Sequence, residues 1–321
     1  MTIPVYDAPN VGLTGNVVSV DWYRADPRRI YRYLRTIVQA RLISDKMLTG
    51  RVNLTGTGSG IYEVSEGIYA VDDPQVIAPL TEYPIVSSGR PTLAQVKPVK
   101  RGFREEHSDE AAAHTTSVVV FERKLRKMAN SLVRQQDTLN LSAIASLVTQ
   151  TQAATSGTWD AANKAGDPFL DVELGAAQID ELDMGYAMDT IACRPSTFAY
   201  AVSRAAIMNY LPRETAGNII TAGINNVRIG NYTWWKTTHM PSGVQAIGLD
   251  STMLGSLAYE EIPSQSGPRW IGAAGDDNSG GVQVQVLGEP NVDGITTKSR
   301  IVRAPMVQEP NAAIVFTGIR S

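Results

Sequence analysis

Residues 108–136, SDEAAAHTTSVVVFERKLRKMANSLVRQQ, read as one long amphipathic helix. Val118, Phe121, Leu125, Met128 and Leu132 recur at spacings of 3, 4, 3 and 4, which stacks them into one apolar stripe, while Arg123, Lys124, Arg126, Lys127 and Arg134 fall largely outside it. A helix with such a stripe lies on something. Ser108 is placed as an N-cap, and Asp109 and Glu110 set negative charge against the positive end of the helix dipole. At 1.5 Å per residue the helix would extend ~40 Å, the length of a small domain. The same spacing would suit a coiled coil, but the pattern breaks at Gln135 and Gln136 and strand and turn signals follow. The expectation is a beam packed on a sheet.

The chain has 321 residues, 43% of them hydrophobic, enough for about two domains with cores of their own. A net charge of −3 argues against a surface built throughout to hold nucleic acid. No apolar run approaches the ~20 residues of a membrane span. The first residues, MTIPVYDAPNVGLTG, lack the basic-then-apolar layout of a signal peptide, so no membrane partner and a cytoplasmic site of synthesis are expected. The single cysteine, Cys193, excludes an internal disulfide and fits a reducing compartment.

Outward from the beam, charge is segregated. Asp26-Pro27 opens an earlier helix, with Tyr31, Leu34, Val38 and Leu42 as its stripe and Gly50 as its stop. Arg24, Arg28, Arg29, Arg32, Arg35, Arg41 and Lys46 face only Asp26 and Asp45 there, a basic pole. Between residues 52 and 89 lysine and arginine are absent, while Glu63, Glu66, Asp72, Asp73 and Glu82 make an acidic pole. Residues 61–95 hold strand-like pieces, IYEV and YPIV, but too few apolar residues to bury themselves, and read as a projecting two-stranded arm.

Beyond the beam, TQTQAATSGTWDAANKAGDP, residues 149–168, reads as a surface connection, and residues 171–188 as a helix. A strand, TIAC, then leads through Arg194-Pro195 to a helix capped by Ser196, an alternating α/β signature. Gly230-Asn231 between VRI and YTWW is a hairpin turn, and Trp234 and Trp235 pack a core edge or a subunit contact. Residues 272–281, GAAGDDNSGG, read as a flexible loop; VQVQV, IVRAPMV and AAIVFTG close the chain as strands. The fold class is α+β.

Motifs of catalysis are missing. GTGSG, residues 56–60, lacks the lysine and following helix of a phosphate loop and reads as a turn. His107, His114 and His239 sit in no metal or triad pattern, and His107 and His114 are expected to be solvated or interfacial. Asp276-Asp277-Asn278 lacks the spacing of a calcium loop, and Cys193 reads as a small buried hydrophobe. No catalytic residue, cofactor or metal is assigned.

The order of basic segment, arm, beam, α/β middle and strand-rich end resembles the major capsid proteins of tailed bacteriophages. AQVKPVKRGFREEHSDEAA, residues 94–112, is similar to that family's strand entering its spine helix. TIACRPSTFAYAVSR, residues 190–204, resembles the strand, proline turn and helix of its axial domain, and INNVRIGNYTWWKTTHMPSGVQAIGLDS, residues 224–251, the stretch that follows. The resemblance implies an N-terminal arm with a basic helix over 1–60 and an extended loop over 61–95. It also implies a peripheral domain over 96–170 and 282–321 and an axial domain over 171–281. It further implies self-assembly as hexamers and pentamers into an icosahedral head around double-stranded DNA, contacted non-specifically. A separate scaffolding protein, a portal and a decoration protein would be partners, and assembly would occur in the bacterial host cytoplasm to give the virion capsid. Some members weld subunits through a loop lysine; none lies in residues 61–95, so the contacts here are expected to be non-covalent.

Charge segregation implies the contact itself: an arm carrying Tyr62, Glu63, Glu66, Asp72, Asp73 and Glu82 docks on the next subunit's basic surface. That surface is either Arg28, Arg32 and Arg35 or the cluster of Arg123, Lys124 and Lys127. The alternatives are an encapsulin-type nanocompartment shell and a soluble carboxylate-dependent hydrolase; the latter has little use for a coreless arm.

Overall fold

The computed structural model describes residues 23, 26–65, 69, 76–77, 79–83, 85, 92–108, 117–161, 166–203, 226–264, 268–276, 280–289 and 294–320. Helix α1 (Pro27–Arg41) starts as the sequence requires: the Asp26 carboxylate accepts the Arg28 amide at 3.0 Å, with Pro27 in the first turn. Its inner face buries Ile30, Leu34 and Val38. Gly50 does not stop it. A 3-10 turn at Ser44–Lys46 intervenes, and Gly50 begins strand β1 (Gly50–Asn53) where it leaves no room for a Cβ beside Ser256.

A turn through Gly56 and Gly58, both at positive φ, carries the chain into β2 (Gly60–Val64). After the arm come β3 (Thr92–Val96) and β4 (Val99–Ser108), then the beam, helix α2 (Ser117–Leu147). Ser108 ends a strand rather than capping the helix, and residues 109–116 and the Val118 side chain lie outside what is described. At 31 residues the helix is about 46 Å long and runs well past Gln136. The polar run there is no terminus but a buried network. Gln136 Nε2 donates to Asn140 Oδ1 at 3.0 Å, and Asn140 Nδ2 donates to Ser44 Oγ at 2.9 Å. Asp137, with no exposed surface, accepts the Ser44 amide at 3.0 Å and the Ile43 amide at 3.2 Å. Satisfied in this way, buried polar groups cost little and the helix continues.

Next are β5 (Thr151–Ala153), helix α3 (Pro168–Asp180), β6 (Thr190–Cys193) and helix α4 (Pro195–Val202). Helix α3 begins before residue 171 because Asp167 accepts the amides of Phe169 and Leu170, and stops at Asp180 because Asp183 and Gly185 adopt positive φ. Arg194, not Ser196, precedes α4 as its cap, with Pro195 in the first turn. The remaining strands are β7 (Asn226–Ile229), β8 (Tyr232–Lys236), β9 (Ala246–Leu249), β10 (Gly255–Tyr259), β11 (Gln283–Glu289), β12 (Gly294–Val307) and β13 (Ala313–Thr317). The β7–β8 hairpin turns at Gly230-Asn231 with Gly230 at φ 64°.

Two sheets organise the body. In the first, β12 has β4 along one edge; along the other, β11 pairs with its first half and β10 with its second, and β1 adds beyond β10 in parallel. The second runs β5-β13-β9-β6-β8-β7. Each sheet draws on both spans into which the chain was divided by resemblance: β10 lies with β12, and β13 lies with β6 and β9.

The beam joins the two. Phe121, Leu125, Met128 and Leu132 pack with α1 on Val282, Val284 and Ile301 of the first sheet. Farther along, Leu141, Ile144 and Val148 share a core with Ile247, Leu249 and Val315 of the second. Each such buried side chain contributes about 1.5–3 kcal/mol. On the far side of the second sheet, α3 and α4 cover Trp159, Trp234, Ile314 and Phe316. Trp159 lies in the segment read as a surface connection, yet it is 1% exposed and donates from Nε1 to Asp171 Oδ2 at 2.7 Å. Cys193 is fully buried, as expected. The glycine-rich stretch before β11 is a cradle: Arg303 donates to the carbonyls of Ala274 and Asp276 and pairs with Asp45 at 3.0 Å.

Candidate inter-subunit surface

The arm is rooted by β2 and β3, paired antiparallel from Gly60↔Val96 to Val64↔Thr92. At its root Val96 packs with Ala258, Ala304 and Met306, and Tyr62 leans on that cluster half-buried, with its phenol raised by burial. Glu63 points to solvent, and Glu82, farther out, is also exposed. Glu66, Asp72 and Asp73 lie outside the described residues. Among the described residues, the arm also meets its own body where the Ser65 amide donates to the Gln308 carbonyl and where the Tyr69 hydroxyl donates to Asp183 Oδ2 at 2.6 Å.

Several of its large apolar side chains are uncovered. Ile61 is 73% exposed and Leu93 63%, while Val76, Leu80 and Ile85 stand at 97% or more. Leu80 also sits at φ 65°, a backbone region that a leucine rarely adopts unless its surroundings hold it there. Large apolar groups concentrated on one projecting segment mark an interaction surface.

The two basic clusters that the sequence offered as alternatives are neighbours. Helices α1 and α2 run side by side in the same direction: Arg126 Nη2 donates to the Tyr33 hydroxyl at 3.3 Å, and Arg41 Nη1 to Asn130 Oδ1 at 2.7 Å. Arg28, Arg32, Arg123 and Lys127 are exposed on this two-helix layer, and Arg35 is half-buried. Lys124 is engaged within the chain, 2.6 Å from Glu105 and donating to the Glu106 carbonyl. The link through Tyr33 and Asn130 escaped the sequence because it pairs positions about ninety residues apart.

His107 is buried rather than solvated. It faces inward on β4 and stacks against Phe121 at 5.4 Å, which the strand's alternation at the sheet edge would have indicated had its register been known. His239 lies 3.2 Å from Asp137, whose carboxylate is taken up by the two backbone amides; His114 lies outside the described residues. Among the described residues, no group of three or more His, Cys, Asp or Glu could hold a metal, and no helix is long and apolar enough to cross a membrane.

Two sheets spanned by a beam helix, with an uncovered arm rooted beside them, define a subunit of the shell-building α+β class. A family model described as phage capsid protein matches residues 92–316. Among solved structures, the capsid of the cyanophage P-SCSP1u is similar at 12% identity over 87% of this chain and 89% of that one, with a TM-score of 0.58. A virus-like particle from Pyrococcus furiosus is similar at 13% identity over 90% and 98%, with a TM-score of 0.54. The holo-SrpI encapsulin complex from Synechococcus elongatus is similar at 11% identity over 100% and 97%, with a TM-score of 0.53. At such identities these likenesses establish the fold. No curated protein matches by sequence. The chain belongs to the phage capsid protein family. It is a phage major capsid protein, a structural subunit that self-assembles into the shell of the virion, not a hydrolase; the encapsulin has the same fold, and the family match favours the phage reading.

Proposed function

We propose that this capsid protein assembles as hexamers and pentamers into an icosahedral head around double-stranded DNA, with residues 61–95 of each subunit laid over its neighbour. The carrying observation is the set of exposed Ile61, Val76, Leu80 and Ile85 on a segment that holds carboxylates and, before Arg90, no lysine or arginine. Of the two basic clusters, the neighbour's receiving surface is the α1 face with Arg28, Arg32 and Arg35; in the other, Lys124 is already held by Glu105. Residues 1–60 are the N-terminal arm with the basic helix α1, residues 96–170 and 282–321 the peripheral domain around α2 and β12, and residues 171–281 the axial domain with α3, α4, β6, β8 and β9. A separate scaffolding protein, a portal and a decoration protein complete the head in the host cytoplasm.

One exposed ion pair is worth only ~0–1 kcal/mol, but a shell repeats it in every subunit, so small terms steer assembly. The test is assembly yield across a salt series for wild type and for a variant with Glu63→Lys, Glu66→Lys, Asp72→Lys and Asp73→Lys. The variant should assemble poorly and lose its salt dependence. Unchanged yield and salt response would sink the arm-to-helix contact.

A further inference from the structure

Where α1 ends between the middle of α2 and the end of β8, the body opens into a cleft of about 480 Å³. Arg41, Lys46, Arg134 and His239 line it, with Asn130 and Thr238 between them as further hydrogen-bonding groups, and no carboxylate is among its lining residues; Lys236 borders it as well, but its ammonium is turned to the Phe198 ring, 5.2 Å away. The nearest, Asp137, is buried beneath His239 and occupied by the Ile43 and Ser44 amides. Leu42 and Val133 are recessed in its floor, while Arg41, Lys46 and Arg134 project.

The cleft is the end of a longer track. Arg123, Lys127 and Arg134 are four and seven residues apart on α2, within a ~40° arc of one helix face, and span about 16 Å. The carboxylate near the start of that track, Glu122, accepts the Tyr23 hydroxyl at 2.7 Å. A compact anion could meet only one end of such a row. A polymer with one charge per ~3.4 Å of each strand can follow all of it.

We infer that the cleft, with the α2 track leading into it, seats the phosphate backbone of duplex DNA without reading its sequence. This rests on the proposed reading that the shell holds duplex DNA, and it adds where on the subunit the DNA is held. In a chain with net charge −3, cations gathered on one face make a site that the whole-molecule charge conceals.

The experiment uses the full chain before assembly. Binding to 30-base-pair duplexes of two unrelated sequences is followed by fluorescence anisotropy over a salt series. A variant carrying Arg41→Gln, Lys46→Gln and Arg134→Gln should bind both duplexes more weakly, with the log–log salt slope reduced in magnitude by about 2.7, or ~0.9 per lost phosphate contact. Arg41→Lys, Lys46→Arg and Arg134→Lys together should restore the slope, which separates charge from folding. Lys100→Gln with Lys298→Gln, beside a different basic hollow bordered by Trp270, should leave it unchanged. Assembled cleft variants should reach wild-type yield and protect less DNA from nuclease. A wild-type slope in the triple glutamine variant overturns the inference, as does equal loss from the Lys100 and Lys298 pair. So does a result in which a peptide of residues 61–85 binds the cleft and duplex DNA does not. Loss of assembly with DNA binding intact would count against the shell reading instead.

Discussion

Asp137 is the most consequential side chain of the beam for stability, and its replacement can be reasoned through. Asp137→Ala removes the acceptor of the Ser44 amide at 3.0 Å and the Ile43 amide at 3.2 Å, at a site closed to solvent. Each buried donor left unpaired costs about 1–3 kcal/mol, so the gross loss is ~2–6 kcal/mol. Alanine returns roughly 0.6 kcal/mol through better helix propensity, which does not alter the sign. Asp137→Asn is the control. Its Oδ1 can accept both amides, which Asp137 Oδ1 already does, and its amide can face His239 Nδ1 in the neutral tautomer that accepts there. The expected cost is about 1 kcal/mol or less. Urea unfolding of the unassembled chain, with the slope checked for constancy, measures both. The reasoning is refuted if the alanine variant loses under ~1 kcal/mol at unchanged slope, or if asparagine proves as damaging as alanine.

Other consequences are open to direct measurement. Burial pushes the Cys193 thiol up to about 12, so at pH 8 only about one thiol in ten thousand is thiolate; thiol reagents should label it only after unfolding, and labelling of the native chain would contradict its placement. Burial alone would raise the Asp250 carboxyl, but the Thr252 hydroxyl and the amides of Ala187, Thr252 and Met253 donate to it and hold it below the usual aspartate range. Because the folded value is depressed, the stabilisation is present above the unfolded pKa of about 3.9 and is lost as pH falls through the folded one. The stability gap between wild type and Asp250→Asn should therefore shrink from roughly pH 6 to pH 3, and a constant gap would contradict the assignment. Gly102 lies flush on β12, where a Cβ would stand 3.0 Å from that of Arg300 and closer still to the Ser299 carbonyl. Gly102→Ala should cost about 1–3 kcal/mol by thermal unfolding, and an unchanged midpoint would mean that β4 can shift.

Features fixed by neighbouring residues were legible in the sequence. The Asp26-Pro27 helix start, the Gly230-Asn231 turn and the TIAC strand each carry their own signal within a few positions. Long-range partners were not. Gln135 and Gln136 looked like a helix end because Ser44, which with Asn140 completes the network of Gln136, is about ninety residues away. Trp159 sat in a polar, glycine-bearing run whose buried partner, Asp171, belongs to the following helix. Gln283 and Gln285 alternate with valines as solvent-facing positions would, yet Arg300 donates to one and the other donates to the Pro268 carbonyl, so both sides of β11 are covered. The arm's composition and the basic pole were readable as separate poles. That the two basic clusters share one layer required the Tyr33–Arg126 and Arg41–Asn130 contacts.

The position of β12 and β13 at the end of the chain bears on synthesis. Until residues 294–317 have left the ribosome, β4, β10 and β11 have no common partner, and β5 is not joined to β9. A polypeptide terminated earlier is left with open strand edges, which template aggregation. Incorporation into a shell is thereby reserved for molecules made at least through residue 317, and a stop codon before β12 removes a strand from both sheets at once.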